Sequence, residues 1–365
     1  MNGWLARQMD IWCGHVLASL VYRPGERATT DLQAMQVYRQ EKFVSDPACF
    51  FDSPPDPPRV SVGELRVKRA FMREHFTFPS AYRPLGEAFA ARYDDYTETH
   101  TVHGWRYRPF SGHSRATLLF MHGWTEGDYR WEEHTWFPWL CRDCGYTVVA
   151  LVHPYHGARK PAAARFSGEF FLSADLVRSV EACRQAVIDA RSTLTWLLDE
   201  THDPVGISGI SLGAFMTYLL LCADGRPAFA LPILGHGELL GGHNESATLV
   251  KNVLRGIQAQ GLDEQTLRPL LRPVTALEMR PRLAPGRILP INGQFDAIVT
   301  ADKARRLFEA WEIPQVVWLP VGHFGVGYTR AFRGDFRSFV ERWIQKDKGL
   351  TLAAARSAGE KTKDE

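Results

Sequence analysis

Charge of one sign is what the sequence most plainly lacks: 43 lysines and arginines stand against 41 aspartates and glutamates, a formal net charge of +2. A chain so balanced has no overall field for nucleic acid or an acidic membrane, so partner choice rests on local chemistry. Cysteine is sparse, with six in 365 residues, which does not make a disulfide scaffold in a chain of this length. Long apolar runs are missing as well. The first segment, MNGWLARQMDIWCGHVLASLVYR, carries Arg7 and Asp10 inside its apolar stretch. It resembles neither a secretory signal core nor a spanning helix of about 20 apolar residues. The expected location is the cytoplasm. Internal repeats and low-complexity blocks are absent, and 45% hydrophobic with 23% charged residues excludes wholesale disorder and a collagen-like chain.

What is present is a change of texture along the chain. The stretch SPPDPP at 53–58 is too rich in proline for a helix or a central strand. Residues 1–95 are therefore read as an N-terminal extension with helices and a Pro-rich linker. Its first helix has Leu5, Met9, Trp12, Val16 and Leu20 at three- to four-residue spacing, one amphipathic stripe. Arg7 and Asp10 cancel on the polar face, unlike the basic face of a membrane-surface helix. The stripe is expected to dock on the protein body, with lipid contact the less favoured alternative.

Beyond a strand-like segment at 97–108, short apolar runs at 117–121, 147–152, 204–208, 229–234, 287–291 and 315–319 alternate with helical stretches. The alternation predicts an α/β domain over 96–346 with a mainly parallel central sheet and helices on both faces. A long helix with Leu176, Val180, Cys183, Val187, Leu194 and Leu198 on one face suits a crossover, with Ser173 as its cap. Residues 235–286 interrupt the rhythm and are read as a small cap insertion. The polar stretch 347–365 reads as a solvated tail.

The sharpest chemical signal is Gly209-Ile-Ser211-Leu-Gly213, a G-x-S-x-G nucleophile elbow between a strand and a helix. A serine oxygen is a poor nucleophile, so the turn has to lift it toward a base. The overlapping Gly206-Ile-Ser208-Gly-Ile210 fails at its last position, so Ser211 is chosen over Ser208. The bland alternative is a strand-to-helix turn whose serine merely caps the helix. Met121-His122-Gly123-Trp124 follows the first of the later runs. Its Trp124 amide is a candidate oxyanion donor with the amide of Leu212, the residue after the nucleophile. The His122 side chain is read as a hydrogen-bonded structural group. A serine nucleophile needs a base and an orienting carboxylate on loops beyond later strands. Gly293-Gln-Phe-Asp296 and Gly322-His323-Phe supply them. Asp302 is the rival acid, better placed in the first turn of a helix, where its charge favours the dipole.

With its four elements in this order, the chain resembles the α/β-hydrolase fold over roughly residues 96–345. The resemblance implies a serine nucleophile, acid and histidine in the chain order Ser211, Asp296, His323. A fifth element, His153-Pro-Tyr-His156-Gly-Ala-Arg159, resembles the loop after the fourth strand in esterase-like members and in a subgroup of hydrolases of unsettled substrate. Loop-fixing hydrogen bonds are the preferred role for His153 and His156. The function implied is a serine esterase of carboxylesterase type, acting on a small-molecule or acyl ester, less favourably on a thioester or amide. It needs no cofactor, no metal and no nucleic acid. The alternatives are a catalytically silent scaffold of the same fold, which binds a ligand or partner through its cap, and a prolyl-oligopeptidase-like peptidase.

Other groups carry weaker signals. Cys141 and Cys144 form C-x-x-C without a second pair at zinc spacing. His236 and His243 lack the i, i+4 spacing of a helix-borne zinc site. Arg268, Arg272, Arg280 and Arg282 are read as a solvated face rather than an anion site. The oligomeric state, acyl group and leaving group stay open.

Overall fold

A computed structural model describes residues 3–21, 28–52, 56–240 and 248–346. Ten strands among them form one sheet: β1 (Ser61–Val62), β2 (Arg66–Val67), β3 (Met72–Pro79), β4 (Thr101–Arg108), β5 (Thr117–Met121), β6 (Thr147–Leu151), β7 (Val205–Ile210), β8 (Phe229–Ile233), β9 (Ile291–Gly293) and β10 (Val317–Leu319). Their order is β1-β3-β4-β6-β5-β7-β8-β9-β10, with β2 also on β3. From β6 to β10 every pairing is parallel, whereas β3, β4 and β6 pair antiparallel. Every residue of β5, β6 and β8 is buried, because helices cover both faces of a parallel sheet and leave no solvated side. The order reverses around β5, which lies between β6 and β7. Beyond the carboxyl ends of these strands is the crevice where open α/β sheets place their ligands.

Three expected boundaries move. The strand expected at 97–108 begins only at Thr101, after a 3-10 turn over Thr97–His100. The run at 287–291 yields a strand at Ile291–Gly293. Pro290 has no N–H for a ladder, and its carbonyl accepts from the Val317 amide at 2.9 Å. The long helix Leu176–Glu200 is capped by Asp175, whose side chain accepts from the Arg178 amide, and not by Ser173. The Ser173 hydroxyl instead accepts from the Asp175 amide at 3.2 Å.

Residues 28–95 share the core of the main domain. β3 pairs with β4 along eight residues, so the boundary expected near residue 95 falls between two neighbouring strands of one sheet. Phe43, Phe50, Phe51, Phe76 and Phe78 are buried in the same cluster as the long helix. That helix is buried on nearly all sides, because the N-terminal segments clasp its polar face as well. The Glu181 carboxylate accepts from the Tyr38 and Tyr82 hydroxyls, each at 2.7 Å, and from the Leu85 amide at 3.0 Å. Arg184 donates to the Phe50 carbonyl at 2.6 Å. Asp189 pairs with Arg159 at 2.8 Å with both side chains fully buried.

The helix Gly3–Val21 docks on the body by a face other than the expected one. Leu5 and Trp12 are 50% and 66% exposed and Val16 is also exposed, while Ala6, Asp10 and Gly14 are buried. Small residues on that face bring the backbone close; a Cβ built on Gly3 would lie 2.5 Å from the Phe295 ring. Of the stripe, Leu5, Trp12 and Val16 are therefore turned to solvent and Met9 is half-buried; the Leu20 side chain lies outside the described residues.

The insertion at 235–286 contains the helices Thr248–Gln258 and Glu264–Leu271. They line a half-open pocket of about 120 Å³ whose apolar wall includes Leu239, Leu254, Ile257, Leu262, Leu267 and Leu271, with none of Ser211, Asp296 or His323 in its lining. The expected tail at 347–365, Ser53 to Pro55 of the Pro-rich linker and His243 lie outside the described residues. No helix among the described residues is long and apolar enough to cross a membrane.

Candidate active site

Ser211 sits between β7 and the helix Leu212–Ala223 with φ 54° and ψ −111°, a conformation costly for a residue with a side chain. The strain has a geometric cause. The helix must start while the chain still lies against β5, and a Cβ on Gly213 would lie 2.0 Å from the Met121 carbonyl oxygen. Only a residue without a side chain allows that approach. Ser211 makes no side-chain capping bond to the helix, which removes the capping alternative. Its Oγ lies 3.0 Å from His323 Nε2. Ser208 is buried in the sheet and donates to the Leu231 carbonyl at 2.8 Å.

The acid and histidine come from the loops after β9 and β10. Asp296 Oδ1 accepts from the amides of Ile298 and Val299 at 2.8 and 2.7 Å, and Oδ2 lies 2.7 Å from His323 Nδ1. The two amides fix the carboxylate, and the carboxylate in turn selects the imidazole tautomer with hydrogen on Nδ1, leaving Nε2 free to accept from Ser211. Asp302 lies in the first turn of the helix Ala301–Ala310, is 93% exposed and pairs with Arg305 at 2.9 Å. It is remote from this chain of bonds.

The imidazole of His323 is raised above its ordinary 6.5. Burial is the largest single effect and acts downward; the charge and hydrogen bond of Asp296, then the charges of Asp10 and Glu126, outweigh it. Two of these acids escaped the sequence reading. Asp10 is buried and accepts from the amides of His323, Ala297 and Phe324 at 2.6, 3.1 and 3.1 Å. A charge flanked by Ala6 and Gly14, four residues away on either side, was the available signal: small neighbours let one helix face approach another surface. Glu126 accepts from the Gly123 amide at 2.8 Å, and its carboxyl is raised, chiefly by burial. Glu132, buried beside it, is pushed up to about 8 by burial first and the charge of Glu126 second.

On the turn after β5, the Trp124 indole donates to the Gly168 carbonyl at 2.8 Å, so the side chain is engaged and the residue is held. Leu212 is the first residue of its helix, where backbone N–H groups have no intrahelical acceptor. His122 Nδ1–H donates to the Gly123 carbonyl at 2.7 Å and Nε2 accepts from the His153 amide at 3.1 Å. Burial lowers it to about 4, so it is neutral and structural. His156 Nδ1–H bonds the Pro154 carbonyl at 2.9 Å. His153 differs from expectation, because neither ring nitrogen has a partner among the described residues; it acts through its amide and through packing on His122 and Phe171.

The remaining groups fall away from the site. His236 stacks near Phe215 and is lowered to about 3, chiefly by burial. Cys141 and Cys144 are buried free thiols, the latter raised to about 11 by burial first. Arg268 pairs with Glu278, Arg272 with Glu41 and Arg282 with Asp46, so three of the four cap arginines face protein carboxylates. Among the described residues no group of three or more His, Cys, Asp or Glu is arranged to hold a metal.

The chain's likeness to known proteins follows this geometry. The family model described as "Alpha/beta hydrolase domain containing 18" matches residues 95–251, the stretch from β4 through the elbow into the cap. The uncharacterized protein Rv2627c of Mycobacterium tuberculosis (strain ATCC 25618 / H37Rv) is 27% identical over 336 residues, covering 88% of this chain and 76% of that protein. Among solved structures, the chain is similar to acetyl xylan esterase 1 from Thermoanaerobacterium sp. JW/SL YS485 (TM-score 0.60, 13% identity, 87% of this chain and 96% of that one). It is also similar to an acetyl xylan esterase from Paenibacillus sp. R4 (TM-score 0.57, 16% identity, 88% and 97%). At such identities the likeness to solved structures is one of fold. Sheet order, elbow and the likeness to solved structures together give this chain the α/β-hydrolase fold.

Proposed function

We propose that this protein is a serine hydrolase that cleaves esters through an acyl-enzyme. The observation that carries the reading is the unbroken line of hydrogen bonds from Ser211 Oγ through both nitrogens of His323 to Asp296. Ser211 Oγ bonds to the substrate carbonyl carbon as its proton passes to His323 Nε2, and Asp296 stabilises the imidazolium. The carbonyl oxygen becomes an oxyanion facing the amides of Trp124 and Leu212. Collapse breaks the bond to the leaving alkoxide, which takes the proton from His323. A water molecule then repeats the sequence on the acyl-enzyme and releases the acid. An ester is favoured over an amide because it has less ground-state resonance to lose and its oxygen, unlike an amide nitrogen, need not be protonated before the bond breaks.

The test is labelling with a fluorophosphonate, together with p-nitrophenyl esters of graded chain length, on native protein and Ser211→Ala. Labelling and hydrolysis confined to the native chain are expected, and the variant stays folded because it loses one hydroxyl. Labelling that persists in Ser211→Ala would move the nucleophile elsewhere. A native protein that is neither labelled nor active would favour the silent scaffold.

A further inference from the structure

The helix Gly3–Val21 lies nearly three hundred residues before the histidine loop, yet it inserts a carboxylate between the two loops that build the site. Asp10 is 1% exposed. Its Oδ2 accepts from the His323 amide at 2.6 Å and the Ala297 amide at 3.1 Å, and its Oδ1 from the Phe324 amide at 3.1 Å. Ala297 follows the acid Asp296, and His323 is the base. One side chain therefore ties the backbone of both loops beside the two residues whose spacing governs proton transfer. The fit is close: a Cβ on Gly322 would lie 2.5 Å from Asp10 Oδ2, so the residue before the histidine has to be glycine for the carboxylate to reach the amides.

We infer that Asp10 is a positioning residue for the Asp296–His323 pair, and that the N-terminal helix is a part of the active site rather than an appendage. The inference rests on the reading of Ser211, His323 and Asp296 as the reacting set. Three amides converge on the carboxylate as on an anion, a bonding pattern that favours the charged form. Burial, the largest effect, and the charge of Asp296 act in the other direction and leave its carboxyl above the usual range. The groups facing His323 are Asp296, Asp10, Glu126 and Ser211, with His236 on the cap side; Cys13 faces Asp10 on its own helix. Asp10 thus acts twice, holding the geometry and adding a negative charge that favours the imidazolium.

Two full-length variants separate these effects, read by the pH dependence of fluorophosphonate labelling at Ser211. Asp10→Asn keeps the shape, but loses the charge and turns an N–H donor toward the amides. Labelling is expected to slow roughly 10- to 100-fold, as small misplacements in active sites do, and the midpoint of the acid limb should move to lower pH. Gly322→Ala keeps the charge and displaces the carboxylate; labelling should slow with a smaller change of midpoint. Circular dichroism and melting curves establish that each variant is folded. An Asp10→Asn protein that labels at the native rate with the native midpoint overturns the inference. So does one that is merely less stable, with native rate and midpoint at low temperature. If Asp10→Asn fails to fold, Gly322→Ala decides: native labelling there overturns it. Failure of the underlying reading looks different, because the native protein would then be unlabelled or labelled in Ser211→Ala.

Discussion

At the scale of single residues, the separation of Asp296 from Asp302 is the clearest case of geometry deciding between identical side chains. Asp296 is buried, receives two amides and touches His323, whereas Asp302 is solvated beside Arg305. Asp296→Asn should lower kcat by roughly 10³- to 10⁴-fold with a modest change in KM, because an amide stabilises the wrong tautomer and gives no charge to the imidazolium. Asp302→Asn should stay close to native; exchanged results in the same ester assay would make Asp302 the acid. The pH profile follows from His323. Its raised value means that the neutral imidazole needed as a base is lost as pH falls through a midpoint above 6.5. A limb measured at or below 6.5 would show that burial outweighs the surrounding carboxylates.

At the scale of elements, the long helix Leu176–Glu200 is the crossover from β6 to β7, and it is buried as a central strut. Its polar side is occupied by Glu181, Arg184 and Asp189, each matched to a partner from the N-terminal half or the loop after β6. Asp189 also accepts from the Ser80 hydroxyl at 2.6 Å, so it joins the helix to the end of β3 and to Arg159. Asp189→Ala should destabilise the protein by about 3–5 kcal/mol, because it leaves the Arg159 guanidinium buried and uncompensated. Arg268→Ala, which removes a partner of Glu278 from a position 72% exposed, should change stability by less than about 1 kcal/mol. Urea unfolding of the two variants beside the native chain measures both. Comparable losses would mean that the buried pair is as dispensable as a solvated one.

At the scale of the whole molecule, the N-terminal residues and the loops after β9 and β10 pack together. The helix Gly3–Val21 meets the acid and histidine loops at Ala297, His323 and Phe324, and Arg272 and Arg282 of the cap region pair with Glu41 and Asp46 of the N-terminal half. A chain beginning at Ala28 should melt at a lower temperature and label more slowly at Ser211, because three loop amides lose their acceptor at once. Calorimetry and labelling of the shortened chain check this. Native values for both would return the helix to the status of an ornament.

What the sequence determined by itself is what depends on near neighbours along the chain. The strands at 117–121, 147–151 and 229–233 were legible because uninterrupted apolar runs of this length are stable when buried on both faces. The elbow was legible because Gly209 meets a local steric requirement: a Cβ on it would lie 2.4 Å from the Gly213 carbonyl oxygen four residues on. Asp296 and His323 were legible as loop residues following predicted strands. Tertiary structure alone decided which face of the first helix is buried. Apolar content pointed to Leu5, Met9 and Trp12, but the close contact went to Gly3, Ala6, Asp10 and Gly14. A hydrophobic pattern reports what can leave water, whereas the docked face is set by how near two backbones come and by the amides that await a carboxylate. Those amides lie 287 and 313 residues away from Asp10. No periodicity within the helix could register them, and only the folded sheet brings their loops to its side.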